Sequence, residues 1–335
     1  MADATWGKRD ARGEWQPDEL PKPSPVFRRP WKPWDILKYF FGPEGFLWPY
    51  NLLYALMAVA TWLWLTPSLD RTFTFQVGWI AEIYARNVVL LTLVAGGLHL
   101  RLYMTRGQGT RYKYSSKWLA AHDSKFLFKN QTWDNIFWNL TSGCIIWTGY
   151  EAVTLWLYAH HLIPYVSWRE HPVYCVLLMI GVVYLRVFHF YWVHRLIHWK
   201  PLYKLSHYVH HKNVNIGPWS GLSMHPIEHI LYFSGVLFHW IIPSHPIHAI
   251  FHLMHAGISP ALGHSGFHKL ETKEDKGLQA DSYFHYLHHR FFTVNFGTEA
   301  VPLDKWFGSF HDGSPEAQAQ MEAKRNKARN KQPVE

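Results

Sequence analysis

Cysteine is nearly absent from this sequence of 335 residues, because only Cys144 and Cys175 occur and both lie inside apolar runs. Two such cysteines provide neither a disulfide framework nor a thiolate metal site, so we expect both to pack in the core. The sequence also contains no G-x-G-x-x-G fingerprint and no His-Pro-Gly-Gly motif. Neither a dinucleotide-binding domain nor a fused heme module is therefore predicted.

Acidic residues are scarce as well: 24 Asp and Glu stand against 33 Lys and Arg, which gives a formal charge of +9. The basic residues flank apolar runs instead of forming one stripe, so we interpret them as topology determinants and lipid headgroup contacts. No nucleic-acid partner is expected. An early apolar stretch is also missing, and residues 1–40 are predicted to be a mobile, polar cytosolic leader without a signal peptide.

Long apolar runs, by contrast, are abundant, and the composition is 48% apolar and 17% aromatic. Four segments approach or exceed the ~20 residues that cross a bilayer as a helix, at 46–65, 80–103, 136–158 and 172–193. A fifth apolar region, 230–258, is broken by Pro243 and Pro246. It predicts a short apolar hairpin that enters the bilayer part-way, with two short spans as the alternative. The predicted fold is an all-α, multi-pass membrane helical bundle.

The distribution of lysine and arginine predicts the orientation of these spans. Basic residues precede the first span and fill the loop between the second and third, whereas the opposite loops are nearly neutral. By the positive-inside rule, both termini are expected in the cytosol, in a bacterial inner membrane or the endoplasmic reticulum. The residues that support this orientation are Arg28, Arg29, Lys32, Lys38, Arg106, Arg111, Lys113, Lys117, Lys125 and Lys129.

Histidine is unusually frequent, with 24 residues, as many as Asp and Glu together. Separations of three or four residues place imidazoles on one side of a helix, where they can meet a common ion. Ten of the histidines fall into four such clusters: His194 and His198; His207, His210 and His211; His264 and His268; His285, His288 and His289.

Ten imidazoles exceed what one ion can use, because a first-row metal takes four to six ligands. The clusters therefore predict two metal ions, with positions left for oxygen or water. Imidazole binds iron and zinc alike, while the lack of carboxylates inside the clusters separates them from Glu-x-x-His di-iron bundles. The first cluster directly follows the fourth span, so the helical histidine-rich site is expected at the cytosolic face.

A further segment, His225-Pro-Ile-Glu-His229, contains the acid that the clusters lack. Glu228 is expected to orient a ligating imidazole by accepting its N–H proton. His225 is assigned to the same supporting role, with direct ligation of a metal as the alternative.

Taken together, these motifs resemble the fatty acid hydroxylase superfamily, also called the sterol desaturase family. The resemblance covers about residues 135–310. It rests on HRLIH at 194–198, HYVHH at 207–211, HPIE at 225–228, HSG at 264–266, HYLHH at 285–289, NFG at 295–297 and LDKWFGSF at 303–310. It implies that the ten clustered histidines bind two metal ions, expected to be iron, and that the protein is an oxidoreductase. It also implies molecular oxygen as co-substrate, a lipid substrate from the bilayer and a separate electron-transfer protein. The reaction would hydroxylate or desaturate a lipid C–H bond of the sterol or fatty acyl type.

Four regions follow from these patterns. Residues 1–40 are the leader, 41–134 hold two spans and the basic loop, 135–311 form the catalytic domain, and 312–335 form a basic tail, either a frayed helix or disordered.

Two other classes of protein share part of the pattern. One is an integral acyl-lipid desaturase of the other histidine-box family, whose boxes usually straddle transmembrane hairpins. The second is a non-enzymatic metal-binding or transport protein, which should place its ionisable ligands at mid-membrane. Sterol, fatty acyl chain, carotenoid and amino-acid lipid all stay open as substrates.

Overall fold

The structure is a computed structural model that describes residues 7–10, 12–18, 24–273, 276–280 and 282–329. It is mostly helical, as the sequence predicts. The longer helices are α1 (Pro33–Phe41), α2 (Tyr50–Leu65), α3 (Val77–Met104), α4 (131–159), α5 (Pro172–Ile197), α6 (200–211), α7 (Pro226–Phe233), α8 (Pro246–Gly263), α9 (Tyr283–Phe291) and α10 (Pro315–Arg329).

Short elements connect these helices. Two antiparallel hairpins pair β1 (Lys8–Arg9) with β2 (Trp15–Gln16) and β3 (Lys269–Lys273) with β4 (Lys276–Gln279). The remaining turns of helix are Pro25–Phe27, Leu69–Thr72, Leu127–Lys129, Pro218–Leu222, Ser234–Trp240 and Leu303–Trp306.

Two helices of the described chain, α3 with 28 residues and α5 with 26, are long and apolar enough to cross a membrane. Only 28% of the most apolar stretch of each is buried, whereas a core helix of a soluble protein would be mostly covered. They correspond to the predicted spans 80–103 and 172–193. The predicted span 46–65 becomes the shorter apolar helix α2, and 136–158 lies within α4.

The second half of the predicted hairpin is the centre of the fold. Helix α8 is buried at all but two of its 18 residues and packs against α2, α4, α5 and the Pro218–Leu222 turn. A helix that is covered on every side lies in the core of a fold, and this one buries three histidines as well, His248, His252 and His255. Gly257 makes the close packing feasible, because a β-carbon there would lie 2.5 Å from the Trp147 ring. Residues 246–258 therefore lie in the core of the protein.

Charged residues inside the apolar helices are mostly paired. Arg86 of α3 donates to Glu151 of α4 at 2.5 Å, and both side chains are buried. Glu82 pairs with Arg71 at 2.8 Å near the helix end. Such pairing explains how α3 and α4 keep charges within apolar surroundings.

The basic loop between α3 and α4 packs at the end of the molecule where the histidine clusters lie. Tyr114 donates its backbone N–H to Gly266, close to His264, and Asn215, which follows the second histidine cluster, donates to the Lys117 carbonyl at 3.0 Å. At the opposite end, the loop after α4 pairs with the turn before α8 through Tyr165 and Ser244. The clusters and the basic loop therefore share one end of the bundle.

The N-terminal region is more ordered than predicted around Trp15, and the described part of the tail takes the helical form, one of the two that were predicted. Trp15 is 3% exposed and packs against Tyr112 and Tyr114 of the basic loop. The expectation of a mobile leader is therefore wrong for residues around Trp15, since a buried aromatic side chain anchors them. The basic tail forms α10, which buries Met321.

Candidate metal centre

Four segments bring histidines to one end of the bundle. His194 lies in the last turn of α5 and His198 caps it. Helix α6 contains a π-helical turn, Tyr203–His207, directly before its last histidines, a distortion often found at functional sites. His264 follows the end of α8. Helix α9 supplies the last three, and Ser282 caps its start by accepting the backbone N–H of His285.

Nine of the ten predicted ligands converge there, in two groups. The five-histidine group consists of His194, His198, His207, His211 and His288. The four-histidine group consists of His210, His264, His285 and His289. Within each group, one nitrogen of every ring lies within 4.8 Å of the others. Either group could hold one metal ion.

The Nδ1 atoms of several rings point outward and bond to backbone carbonyls. His288 donates to Val294 at 2.6 Å, and His264 donates to Pro260 at 3.1 Å. His289 donates from the same position to Asn213 at 3.1 Å. An Nδ1–H that donates outward leaves the Nε2 lone pair facing inward, which is the tautomer that a metal requires.

The Nε2 atoms that face the centre of each group are so close that their lone pairs repel unless an ion lies between them. His264 and His289 both donate through Nδ1, yet their Nε2 atoms lie 3.2 Å apart with no proton available to join them. In the five-histidine group, the His198 Nε2 lies 3.0 Å from that of His207 and 3.1 Å from that of His211. Two nitrogens that share an ion at about 2.1 Å would lie roughly 3 Å apart. The donor set therefore fits two metal ions.

Glu228 contacts the five-histidine group directly. Its Oε1 accepts from the Nδ1 of His207 at 2.7 Å, the contact predicted for an acid that orients an imidazole, and its Oε2 has no hydrogen-bond partner among the residues that the structure describes. Burial raises the pKa of Glu228 well above its usual value and lowers that of His207. A neutral His207 that donates to Glu228 presents its Nε2 lone pair to the group.

Burial affects the neighbouring rings in the same way. It lowers the pKa of His264 to about 3, and it lowers the pKa values of His211, His288 and His289 well below 6.5, with nearby histidines adding to the shift. A histidine must be neutral to bind a metal. These rings therefore stay competent as ligands at any ordinary pH.

A cavity of about 150 Å³ touches both groups. Its polar lining includes His194 and His207 from one group and His210, His264 and His285 from the other. Its apolar walls include Phe190, Val193, Ile197, Met224 and Pro260. The space beside the two groups is therefore suited to a hydrocarbon.

Comparison with known proteins identifies the region that holds this centre. Residues 178–309 match the family model for fatty acid hydroxylase, and the match includes all nine converging histidines and Glu228. The chain is similar to this family over residues 178–309, which are about two fifths of its length.

Curated relatives of this matched region include sterol desaturases. A Delta(7)-sterol 5(6)-desaturase of Gibberella zeae is 30% identical over 129 residues, 38% of this chain and 39% of the relative. The Delta(7)-sterol-C5(6)-desaturase of Nicotiana tabacum is 29% identical over 153 residues, 44% of this chain and 53% of the relative. The chain thus spans about two fifths to one half of the length of these relatives. No solved structure matches.

One part of the matched region has a role that its motifs alone did not predict. The backbone carbonyl of Phe296 accepts from His194 Nδ1 at 2.7 Å, and the Phe296 ring packs 4.9 Å from the His198 ring. Asp304 holds this turn by accepting the N–H groups of Phe296 and Gly297, both at 2.8 Å. The NFG and LDKWFGSF motifs therefore position a ligand through the backbone. A buried acid seven residues after a glycine turn was the available signal.

His268 lies outside both groups, and the helical spacing assumed for it is wrong. Helix α8 ends at Gly263, and Gly266 then adopts a left-handed φ of +78°, so the chain leaves in an extended direction toward β3. The His268 ring packs 5.0 Å from that of Trp15, and its Nδ1 lies 3.3 Å from the Tyr114 hydroxyl.

His225 also lies apart from the two groups. It caps the start of α7, where its Nδ1 accepts the backbone N–H of Ile227 at 3.3 Å. The structure thus gives it the role of a helix cap, and of the two residues assigned to support, Glu228 alone contacts a ligand.

Proposed function

We propose that this protein is a membrane-embedded di-iron oxygenase that hydroxylates or desaturates a lipid C–H bond. The carrying observation is the pair of histidine groups, in which rings tied outward by Nδ1 turn their free nitrogens toward two common centres. The family match and the sterol desaturase relatives support the same reaction class, since hydroxylases and desaturases are both oxidoreductases.

In this proposal the nine histidines hold two metal ions, expected to be iron, with zinc as the alternative. When bound, the ions would supply the activation of molecular oxygen that C–H attack requires. The chain contributes the positioning: Glu228 and the Phe296 carbonyl fix the rings of His207 and His194. The apolar walls of the cavity hold the substrate carbon beside both groups and keep water away.

A second cavity gives a lipid a route to the first. It has a volume of about 440 Å³ and shares Ser259 and Gly263 with the first cavity. These are the two residues of α8 that are not buried. Its walls include Phe46, Tyr50 and Tyr54, which precede the matched region. The N-terminal region would therefore form part of the lipid path.

The proposed topology has four spans, with both termini and the metal site in the cytosol. It is supported by the contact between the basic loop and the histidine-bearing end and by the exposed large apolar side chains of α2 and α3, among them Leu56, Trp64 and Leu93. Metal ligands at one end of the bundle also argue against a transporter, whose ligands should lie at mid-membrane. We keep the four predicted regions, with the hydroxylase match inside 135–311.

A separate electron donor would complete the reaction. A cavity beside the five-histidine group is lined by Arg195, Lys324 and Arg325 and also by Phe296, whose ring contacts His198. This basic surface suits an acidic donor, with one aromatic ring between it and the nearest ligand.

The test is a comparison of lipids from cells that express the wild-type chain or a His210→Ala, His211→Ala variant, grown under ¹⁸O₂. A hydroxylase would add one ¹⁸O atom to a lipid, and a desaturase would remove two hydrogens without adding oxygen. Either product, absent with the variant, supports the proposal. Identical lipid profiles with and without the wild-type chain would contradict it.

A further inference from the structure

The cavity beside the histidine groups contains a cation that is paired with no carboxylate of the described residues. Arg186 of α5 lines the cavity together with the histidines. Its Nη2 donates to the Tyr232 hydroxyl at 3.0 Å, and its Nε is buried without a hydrogen-bond partner. Within the described part of the chain, Arg186 forms no ion pair, unlike Arg86 in α3, which is bonded to Glu151.

Tyr232 holds this cation in place. Its hydroxyl donates to the backbone carbonyl of Ala256 at 2.9 Å, so its lone pair is free to accept from Arg186. Tyr232 itself lines the cavity. A guanidinium has five N–H donors, and one bond to a neutral hydroxyl leaves most of them available to a ligand.

An unpaired charge among apolar walls is unfavourable unless a ligand completes it. Among the described residues that line the cavity, the one acid is Glu228, and it is already bonded to His207. Arginine binds carboxylate and phosphate groups through paired, charge-assisted hydrogen bonds. The missing partner of Arg186 is therefore best supplied by the substrate.

We propose that Arg186 binds the carboxylate or phosphate group of an acidic, single-chain lipid substrate and so sets which carbon reaches the metal centre. This inference rests on the proposed function and names its substrate class. Arg186 precedes His194 by eight residues of one helix, which corresponds to about 12 Å along the axis. The carbon attacked would lie about that far from the acidic group.

The size of the cavity favours a slender chain over a ring system. Its volume of about 150 Å³ is below the roughly 300–1,000 Å³ of most ligand pockets. An alkyl chain could fill it and continue into the second cavity past Ser259 and Gly263. A rigid four-ring sterol would need both cavities to widen.

Binding to the metal-free, full-length protein in lipid nanodiscs tests this assignment. Palmitate, hexadecyl phosphate, hexadecanol and cholesterol would be compared by equilibrium binding to the wild type. We expect one or both acids to bind roughly ten-fold to a hundred-fold more tightly than hexadecanol, and cholesterol to bind more weakly than the acids. Which acid binds better would identify the group as carboxylate or phosphate.

Variants test separately the positive charge of Arg186 and the Tyr232 hydroxyl that accepts a hydrogen bond from it. Arg186→Gln should remove the preference for acids and leave hexadecanol affinity unchanged, whereas Arg186→Lys should keep part of it. Arg169→Gln removes an exposed positive charge in the loop before α5 and should change nothing. Tyr232→Phe should weaken acid binding less than Arg186→Gln does, because the cation remains.

The assignment is overturned if the wild type fails to bind either acid more tightly than hexadecanol, or if the preference survives Arg186→Gln. The comparison of ligands on the wild type stands even where a variant does not fold. Because the binding is measured without metal, failure of this assignment can be told apart from failure of the proposed function. A protein that binds acids selectively yet makes no product would contradict the proposed function alone.

Discussion

The two H-x-x-H-H segments have the same spacing but serve the two histidine groups in opposite ways. In HYVHH, the outer residues His207 and His211 belong to the five-histidine group, and His210 belongs to the four-histidine group. In HYLHH the assignment is reversed, because the outer pair joins the four-histidine group and His288 joins the other. In each segment, the first and last histidines are four residues apart and point in nearly the same direction from the helix. The middle histidine, three residues after the first, points to one side of that direction. Each segment therefore links both groups.

The difference between the groups comes from the other two clusters. HRLIH supplies both of its histidines to the five-histidine group, whereas HSGFH supplies only His264. The four-histidine group thus has one donor fewer, and three of its four rings line the cavity. We infer that an ion held there has the more open position, facing the substrate.

The largest expected effect on activity comes from replacing either of two adjacent histidines, His288 or His289, which belong to different groups. His288→Ala removes a donor from the five-histidine group, and His289→Ala removes one from the four-histidine group. Both should lower activity by at least about a hundred-fold, since even residues that only support ligands account for 10–100-fold. Each variant should retain one metal ion per chain, measured by plasma mass spectrometry. Loss of both ions from either variant would show that the groups cannot be occupied separately.

The two histidines of HSGFH should behave very differently from each other. His264→Ala should lower activity by the same factor as His289→Ala and should cost the chain one metal ion. His268→Ala should keep both ions and most of the activity, because His268 packs against Trp15. Activity and metal content, measured side by side, decide the matter. Equal losses in the two variants would restore His268 as a ligand and contradict the structure.

Removal of the carboxylate that supports His207 should affect one group only. Glu228→Ala is expected to weaken metal affinity of the five-histidine group by about 10–100-fold, with the second ion retained, as measured by titration with a chelator. Glu151→Gln alters another buried carboxyl group, one bonded to Arg86 and outside both histidine groups, and is the matched control. Equal weakening of both ions would argue that Glu228 acts on the fold and not on one group.

The smallest expected effect is on the stability of the metal-free protein at low pH. Burial lowers the pKa of His264 to about 3 from an unfolded value of 6.5, so the unfolded chain binds a proton first. The stabilisation is complete above pH 6.5 and is lost progressively as the pH falls toward 3. The apparent unfolding temperature should therefore be lower at pH 5 than at pH 7.5. His264→Gln should reduce that dependence, and an unchanged dependence would contradict the cause.

Local spacing predicts much of this centre and little of its assembly. The sequence predicted that histidines three or four residues apart meet a common ion, and the i, i+4 pairs 194/198, 207/211 and 285/289 each fall within one group. His210 and His288, each three residues after the first histidine of its cluster, instead join the other group. The pair 264/268 fails because a helix that ends at Gly263 cannot be extended by counting. Which cluster meets which is decided by tertiary packing. Apart from the NFG turn that presents the Phe296 carbonyl, the backbone acceptors of the Nδ1 protons carry no signature in the sequence.

Apolar runs were a good guide to helices and a weaker guide to their surroundings. Segments 80–103 and 172–193 do form long helices with much exposed surface, as a span requires. The run 246–258 is equally apolar, yet it forms the buried centre of the bundle. Hydropathy alone does not separate lipid from protein interior. Hydropathy also gave no sign that the Trp15 side chain is buried, because this residue lies in a polar segment.

The central claim is that two histidine groups bind two metal ions, and the metal content of the purified wild-type chain tests it most directly. Plasma mass spectrometry of protein prepared in detergent without chelators should find about two ions per chain, with iron predominant. A chain that retains activity while holding no stoichiometric metal would contradict the account.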